Sequence, residues 1–532
     1  MLKTAPINTR GIWLPLIVLC MAQFLASADN VTLSIATHAL MHDLGASMAQ
    51  VSAANTMYPL IAGTFMIAGG MLGGVLGWRR TFRIGCAIYL LGELCATLAP
   101  SISFFIWAAR ILAGIGGSFM IPSVFGLITG LYQGRDRAMA FGALGAASGV
   151  SFALGPIICG MLLDTLGWRW AFSVMGGLLV IILLLSALID EPAKSNQPLH
   201  FDFPAFILST IGLFLVIFGI LQISNWGLFA PFNPPFTLFG LSPALFLVLA
   251  GILVLIIMLR WEKTHEARTG SALIPHAFLH TPQVRAGLYL TAYIFFAYSS
   301  GIFVVVSFAQ VVSGLTAIQT GLLIVPFAIC LAGCSLGLPL FIHQRNARRQ
   351  CRVGLILGII GAAVTAAGIG VHSFNRSLII VGLCFIGSSM GVIAANAPYL
   401  VTSALPEKEA RQSGGIQSAA RDIGQALGVA LVSTVMLTTL TFSMKHRIAD
   451  ITVTPQTRIT IQNMTVFPYL SDQGFSSLLV QSGATKQDLP TITKLYQQSR
   501  ARVSQAGLLA MALMTLLFLL GTRGILQPDG KK

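Results

Sequence analysis

The stretch GALGAASGVSFALGPIICGMLLDTLGWRWAF, Gly142 to Phe172, decides how the rest of the chain is read. Gly142, Gly145 and Gly149 fall at i, i+3 and i+7, so they share one helix face. Gly155-Pro156 follows, with Gly160 four residues past the proline. Small residues at this spacing let helix backbones approach closely in lipid, where packing replaces the missing hydrophobic drive. A proline inside such a span frees a backbone group, which membrane helices tolerate when neighbours re-satisfy it. Asp164 and Trp168-Arg169-Trp170 then mark a membrane–water interface and the return into lipid. Ordinary helix packing explains the glycines alone; the glycine face, Gly-Pro and Trp-Arg-Trp together are a rarer combination.

Composition places this stretch in a membrane. Of the 532 residues 55% are hydrophobic and only 9% charged, against about 25% charged in a soluble protein. Apolar segments of about 20 residues recur, the length that spans the hydrocarbon core as a helix. Barrel strands would instead alternate over about 10 residues. An all-α polytopic protein with fourteen spans is expected.

The 32 Lys and Arg outnumber the 17 Asp and Glu, a formal charge of +15. They gather in alternate short connections: Arg79, Arg80 and Arg83; Arg135 and Arg137; Lys194; Arg345, Arg348 and Arg349; Arg411. By the positive-inside rule both termini are cytoplasmic. No continuous basic face with interleaved aromatics exists, so nucleic acid is not an expected partner. The long polar segment 443–499 falls outside; it is a cap, a gate or a spacer, with a short helix expected over Asp488–Arg500. Arg-rich loops follow the second and the tenth spans, eight apart, which suggests two six-helix halves with two spans inserted between them. The division is residues 1–190, 191–270 and 271–532. The eight cysteines lie almost all in apolar spans, which implies no disulfide framework.

Several motifs resemble one family. Gly69–Arg80, GGMLGGVLGWRR, resembles the loop motif of the major facilitator superfamily, with Gly73, Gly77, Arg79 and Arg80 in place. Gly74 stands where that motif usually has an aspartate, so this chain must use other contacts to hold the inner side closed, or a weaker gate. The opening stretch, with Gly149, Gly155, Pro156 and Gly160, resembles the antiporter motif of drug:proton antiporters. Arg110 with Gly114, Gly116 and Gly117 resembles the fourth-helix motif, although Ala113 replaces its usual glutamine. Phe201-Asp202-Phe203 matches the first inserted helix, and Ser413-Gly414-Gly415 with Arg421 the thirteenth. In this order they resemble the 14-helix drug:proton antiporter branch over nearly the whole chain.

That resemblance implies the major facilitator fold and a monomeric, proton-coupled exporter of lipophilic or amphipathic small molecules in a bacterial inner membrane. A periplasmic adaptor is an optional partner. No cofactor is implied, and no phosphate-cradling loop, metal-ligand cluster or nucleophile elbow points to an enzyme. Two rivals stand beside it: a dedicated metabolite or siderophore exporter, and a non-transporting membrane sensor or scaffold. The latter draws on the missing acid at Gly74.

Charges inside the bilayer cost about 2.5–3.5 kcal/mol each on insertion scales, so each needs a reason. Asp29 lies about 26 Å along the first span, in its outer half, at the aspartate position of the branch's first-helix motif. A carboxyl in apolar surroundings favours its neutral form, which would let Asp29 take up and release a proton. Glu93 is a second acid, on a third helix that the fold would make peripheral, and the resemblance places Arg110, the one cation deep in the fourth span, near the proton path. A structural hydrogen bond is the competing reading of each. Arg421, with Asp422, reads as an inner-end packing pair. Gln23, Trp107, Met120, Tyr289, Tyr293, Tyr298, Asn396 and Tyr399 are candidates to line a substrate cavity.

Overall fold

The computed structural model describes residues 9–192, 202–228, 231, 234–269, 272, 274, 278, 280–341, 346–370, 374–448, 451–464 and 466–525. Lys194, Phe201 and Arg345 lie outside them, as does the side chain of Asp164. The helices in chain order are α1 (Thr9–Asp43), α2 (Met48–Leu76), α3 (Trp78–Thr97), α4 (Ile102–Leu131), α5 (Gly134–Thr165) and α6 (Trp168–Leu185). A hairpin of α7 (Phe203–Trp226) and α8 (Pro243–Thr269) follows. Then come α9 (Pro282–Val312), α10 (Ala317–Phe341), α11 (Ala347–Gly368), α12 (Arg376–Ser403) and α13 (Glu407–Arg447). Two short helices, α14 (Pro455–Asn463) and α15 (Asp472–Gln481), lead into α16 (Leu489–Ile525).

Among the described residues, twelve helices are long and apolar enough to cross a membrane. The expected fourteen adds α1 and α3. The apolar run of α1 is the shorter Trp13–Asp29, while the 20 residues of α3 carry Arg79, Arg80, Arg83 and Glu93.

Local chemistry sets the helix ends. Ser47 accepts from the Gln50 N–H while Gln50 accepts from the Ser47 N–H, a reciprocal cap that starts α2. Gly77, at φ 102°, lets the chain turn from α2 into α3 with no intervening loop. Trp168, 1% exposed, donates to Asp43 and packs edge-on to Phe105 and Phe172, which ties α6 to the ends of α1 and α4.

One group of helices packs α4 against α2 and α3, with α5 against α1. A second packs α12 against α10 and α11, with α9 against α13 and α16 against α11 and α13. The α7–α8 hairpin leans through α7 on α2 and α13. The groups meet along α5–α10, α2–α13 and α4–α13. Here glycines allow backbone contact: a Cβ on Gly142 would lie 2.5 Å from the Ser335 carbonyl oxygen, and one on Gly70 2.9 Å from Gly415 Cα. A Cβ on Gly149 would lie 2.7 Å from Leu331, and Gly321 of α10 sits beside Pro156 and Ile157. The motif face of α5 therefore packs on α10 along most of its length, and Pro156 lies within a continuous helix.

The segment after α13 is folded. Ile461, Phe467, Phe475, Leu479, Ile492 and Tyr496 are all fully buried, and the rings of Phe475 and Tyr496 stack at 3.7 Å. The separate short helix expected over Asp488–Arg500 is instead the first part of the continuous α16. Arg500 holds it down, donating to the Leu470 carbonyl at 2.6 Å and pairing with Asp472.

Candidate functional site

Three of the charges singled out by sequence come together. Arg110 donates from both terminal nitrogens to the two oxygens of Asp29, each at 2.9 Å, and neither side chain is more than 1% exposed. Arg110 closes a wide π-helical turn, Phe105–Arg110, within α4. Its guanidinium also lies 5.1 Å from the Tyr58 ring centroid. A bidentate pair of this kind satisfies charge and hydrogen bonding at once, which is how two buried charges are tolerated. Glu93 of α3 lies within electrostatic reach of both residues, 1% exposed, and neither of its carboxyl oxygens has a hydrogen-bond partner. It does not line the cavity described next, but its helix is not remote from the charges: α3 packs on α4 through Gly92, against Ala109 and Ala113.

Between the two groups lies a cavity of about 60 Å³, well below the roughly 300–1,000 Å³ of pockets that hold drug-sized ligands. A drug-sized ligand would therefore need the two groups to part around it. Phe141, Leu144, Gly145, Ser148 and Phe152 of α5 form one wall, facing Thr291, Ile294 and Phe295 of α9 and Met390, Ala394 and Pro398 of α12. Gln23 lines it from α1 and donates to Ser148 at 2.9 Å. Arg421 lines it from α13 as well as pairing with Asp422. Its Nε meets Asp422 at 3.3 Å and its guanidinium lies 5.1 Å from the Phe295 ring centroid.

Of the eight candidate lining residues only Gln23 reaches this cavity. Tyr298 stacks at 3.7 Å on Phe152, a lining residue, and so bridges α9 and α5. Trp107 is 66% exposed, on a face of α4 that is open to the surroundings. Met120 is buried beside Gly85 in the α3–α4 contact. Tyr289 and Tyr293 pack on Phe518 of α16, with the Tyr293 hydroxyl 3.0 Å from Ser389. Asn396 donates to the Val392 carbonyl of its own helix, and Tyr399 is half-buried outside the lining. The α5 wall went unread although its positions, i, i+3, i+4, i+7 and i+11, mark one helix face.

Comparison with known proteins agrees with this architecture. The model of the Major Facilitator Superfamily matches residues 19–429. The chain belongs to that superfamily. A probable actinorhodin transporter of Streptomyces coelicolor is 26% identical over 429 residues, covering 79% of this chain and 72% of the relative. The tetracenomycin C resistance and export protein of Streptomyces glaucescens is 26% identical over 432 residues, covering 80% and 76%. Among solved structures the human organic anion transporter MFSD10 superposes with a TM-score of 0.60 at 12% identity, covering 98% of this chain and all of that one. At that identity the likeness is one of fold. The protein is a multi-pass membrane transporter of small molecules rather than an enzyme.

The superfamily's loop motif has its own geometry here. Gly73 accommodates the Trp78 ring, which would lie 2.3 Å from a Cβ at that position. The Trp78 and Arg79 N–H groups donate to the two oxygens of Glu191, at 2.7 and 3.0 Å. A carboxylate at a helix N-terminus complements both its free N–H groups and its dipole. Arg79 also donates to the Ala187 carbonyl, Arg83 donates to Ser186, and Arg80 is exposed. Glu191, which sequence reasoning passed over, thus brings an acid to the loop that carries Gly74.

Proposed function

We propose that this transporter is a proton-coupled exporter that exchanges protons for lipophilic or amphipathic small molecules. Its halves, 1–190 and 271–532, rock about the central cavity, and residues 191–270 supply two inserted spans to make fourteen. It acts as a monomer in a bacterial inner membrane with both termini cytoplasmic. The observation that carries the reading is the buried Asp29–Arg110 pair with the unpartnered carboxyl of Glu93 close by. A proton on Asp29 removes the carboxylate charge while Arg110 stays cationic, which weakens the bidentate pair, and Glu93, the other buried acid that acts on Arg110, then opposes the guanidinium charge. That exchange gives α1, α3 and α4 two arrangements that differ by one proton.

The names of the two relatives, each tied to one compound, also favour the narrower reading of a dedicated exporter of one metabolite. The sensor reading is weakened by the superfamily match and the exporter names of the relatives, while Glu191 at the start of α3 offers another contact for the loop motif. The test is transport in everted vesicles with an internal pH dye and an acid-inside gradient, comparing the native chain with Asp29→Asn. Addition of substrate should release protons from native vesicles and not from the variant. Silence of the native chain across lipophilic cations, neutral dyes and aromatic anions would sink the broad drug-exporter reading and leave the dedicated exporter or the sensor.

A further inference from the structure

We propose that Arg421 anchors an anionic oxygen, a carboxylate or an ionised phenol, of an aromatic substrate held in the central cavity. This rests on the reading of that cavity as the transport site. Among the described residues that line it, Arg421 alone carries a charge. It is 5% exposed, and its Nη1 has no hydrogen-bond partner. Asp422 does not consume the guanidinium: it meets only Nε, at 3.3 Å, and its other oxygen turns toward Gly63 of α2 rather than into the cavity. A guanidinium is suited to planar oxygen anions, which it binds through charge and paired donors together.

The rest of the lining is matched to flat aromatic bodies. Phe125, Phe141, Phe152 and Phe295 all line the cavity, and the Arg421 guanidinium lies beside the Phe295 ring, 5.1 Å from its centroid. The Oε1 atom of Gln23 is buried without a partner, an acceptor available to a substrate hydroxyl or amide. Unpaired buried polar groups discriminate strongly, because a ligand that leaves them unpaired forfeits the binding that their partners would supply. A lipophilic cation would meet Arg421 with no acid in the lining to oppose it, so the cavity selects against that class.

The experiment is equilibrium binding to the full chain in nanodiscs at pH 7.5, read by fluorescence polarisation without any gradient. Fluorescein and rhodamine 6G are the probes, since they share a tricyclic frame and differ in the sign of their charge. Saturable fluorescein binding is expected, at least tenfold weaker in Arg421→Met and partly restored in Arg421→Lys, with rhodamine 6G not weakened by either change. Thermal unfolding of each variant in the same discs verifies that it is folded. Equal fluorescein affinity in Arg421→Met, a native preference for rhodamine 6G, or no saturable fluorescein binding overturns the assignment. A protein that binds fluorescein through Arg421 yet moves no protons in vesicles keeps this inference and loses the exporter reading. Proton-linked export of cations indifferent to Arg421 does the reverse.

Discussion

Breaking the Asp29–Arg110 pair from each side should give unequal effects that do not add. Both side chains are essentially unexposed and meet through two hydrogen bonds of 2.9 Å. Removing one partner of a buried pair costs about 3–5 kcal/mol, because the other charge is left uncompensated. Arg110→Met is the harsher change, since it leaves Asp29 and Glu93 as neighbouring acids without a cation. Asp29→Asn is milder, because Glu93, a second buried acid that acts electrostatically on Arg110, still offsets part of the orphaned guanidinium's charge. The double variant leaves no unpaired cation and should lose no more than Arg110→Met alone. The coupling is then about 3 kcal/mol, at the upper end for contacting residues. Reversible unfolding of the purified protein in mixed micelles, titrated with an anionic detergent, measures all four corners of the cycle. Losses that add to within about 0.5 kcal/mol would mean that the residues do not interact, and the mechanism built on them would fall.

Gly415→Val places a side chain where even a Cβ would lie 2.9 Å from the Met66 carbonyl oxygen and 3.2 Å from Gly70 Cα. Backbone cannot yield as a flexible side chain does, so α13 must shift, at a cost of about 1–3 kcal/mol. A cysteine introduced at Leu144 in a cysteine-free chain should then react several-fold faster with an impermeant maleimide; an unchanged rate would refute the expectation. Glu191→Gln keeps the shape of the α3 cap but removes its charge, and should cost about 1 kcal/mol in the same unfolding assay. The Asp488 carboxyl is held below its ordinary value by the Thr454 hydroxyl first, then by Thr457 and the Thr454 N–H. A depressed carboxylate stabilises the fold above its unfolded value, and this is lost as pH falls through the folded one. Protection factors for hydrogen exchange over 454–488, which remove the much slower intrinsic exchange at acid pH, should therefore be smaller at pH 3 than at pH 7. In Asp488→Asn the segment should already be loosened at pH 7 and respond less to acid.

The helices, the packing face of α5 and the buried charges were legible because lipid forces them to be. A span must be apolar and about 20 residues long, close helix contact selects glycine, and a buried charge is conspicuous by its cost. Rotation about each helix axis was not legible. In a soluble helix the polar face marks the outside, but around α4 the side toward lipid and the side toward the interior are both apolar. Trp107 and Arg110, three residues apart, therefore looked equally internal, and one is exposed while the other is buried. The pairing of Asp29 with Arg110 spans 81 positions, and no local pattern announces it. The outer segment misled in the opposite direction. Its apolar residues are few, yet Phe467, Phe475 and Tyr496 are bulky enough to make a core together.

The wide turn at Phe105–Arg110 reconciles two demands on α4. At its N-terminal end Phe105 must meet Trp168 and Phe172, and Arg110 must meet Asp29. In regular α-helix each residue advances about 100° around the axis, so the angle between positions 105 and 110 is fixed. A π turn holds extra chain without unwinding the helix and sets that angle differently. Deleting one residue from the turn would restore regular geometry, and the helix would keep its aromatic corner or its ion pair but not both. The charge at the heart of the protein owes its aim to a single surplus residue.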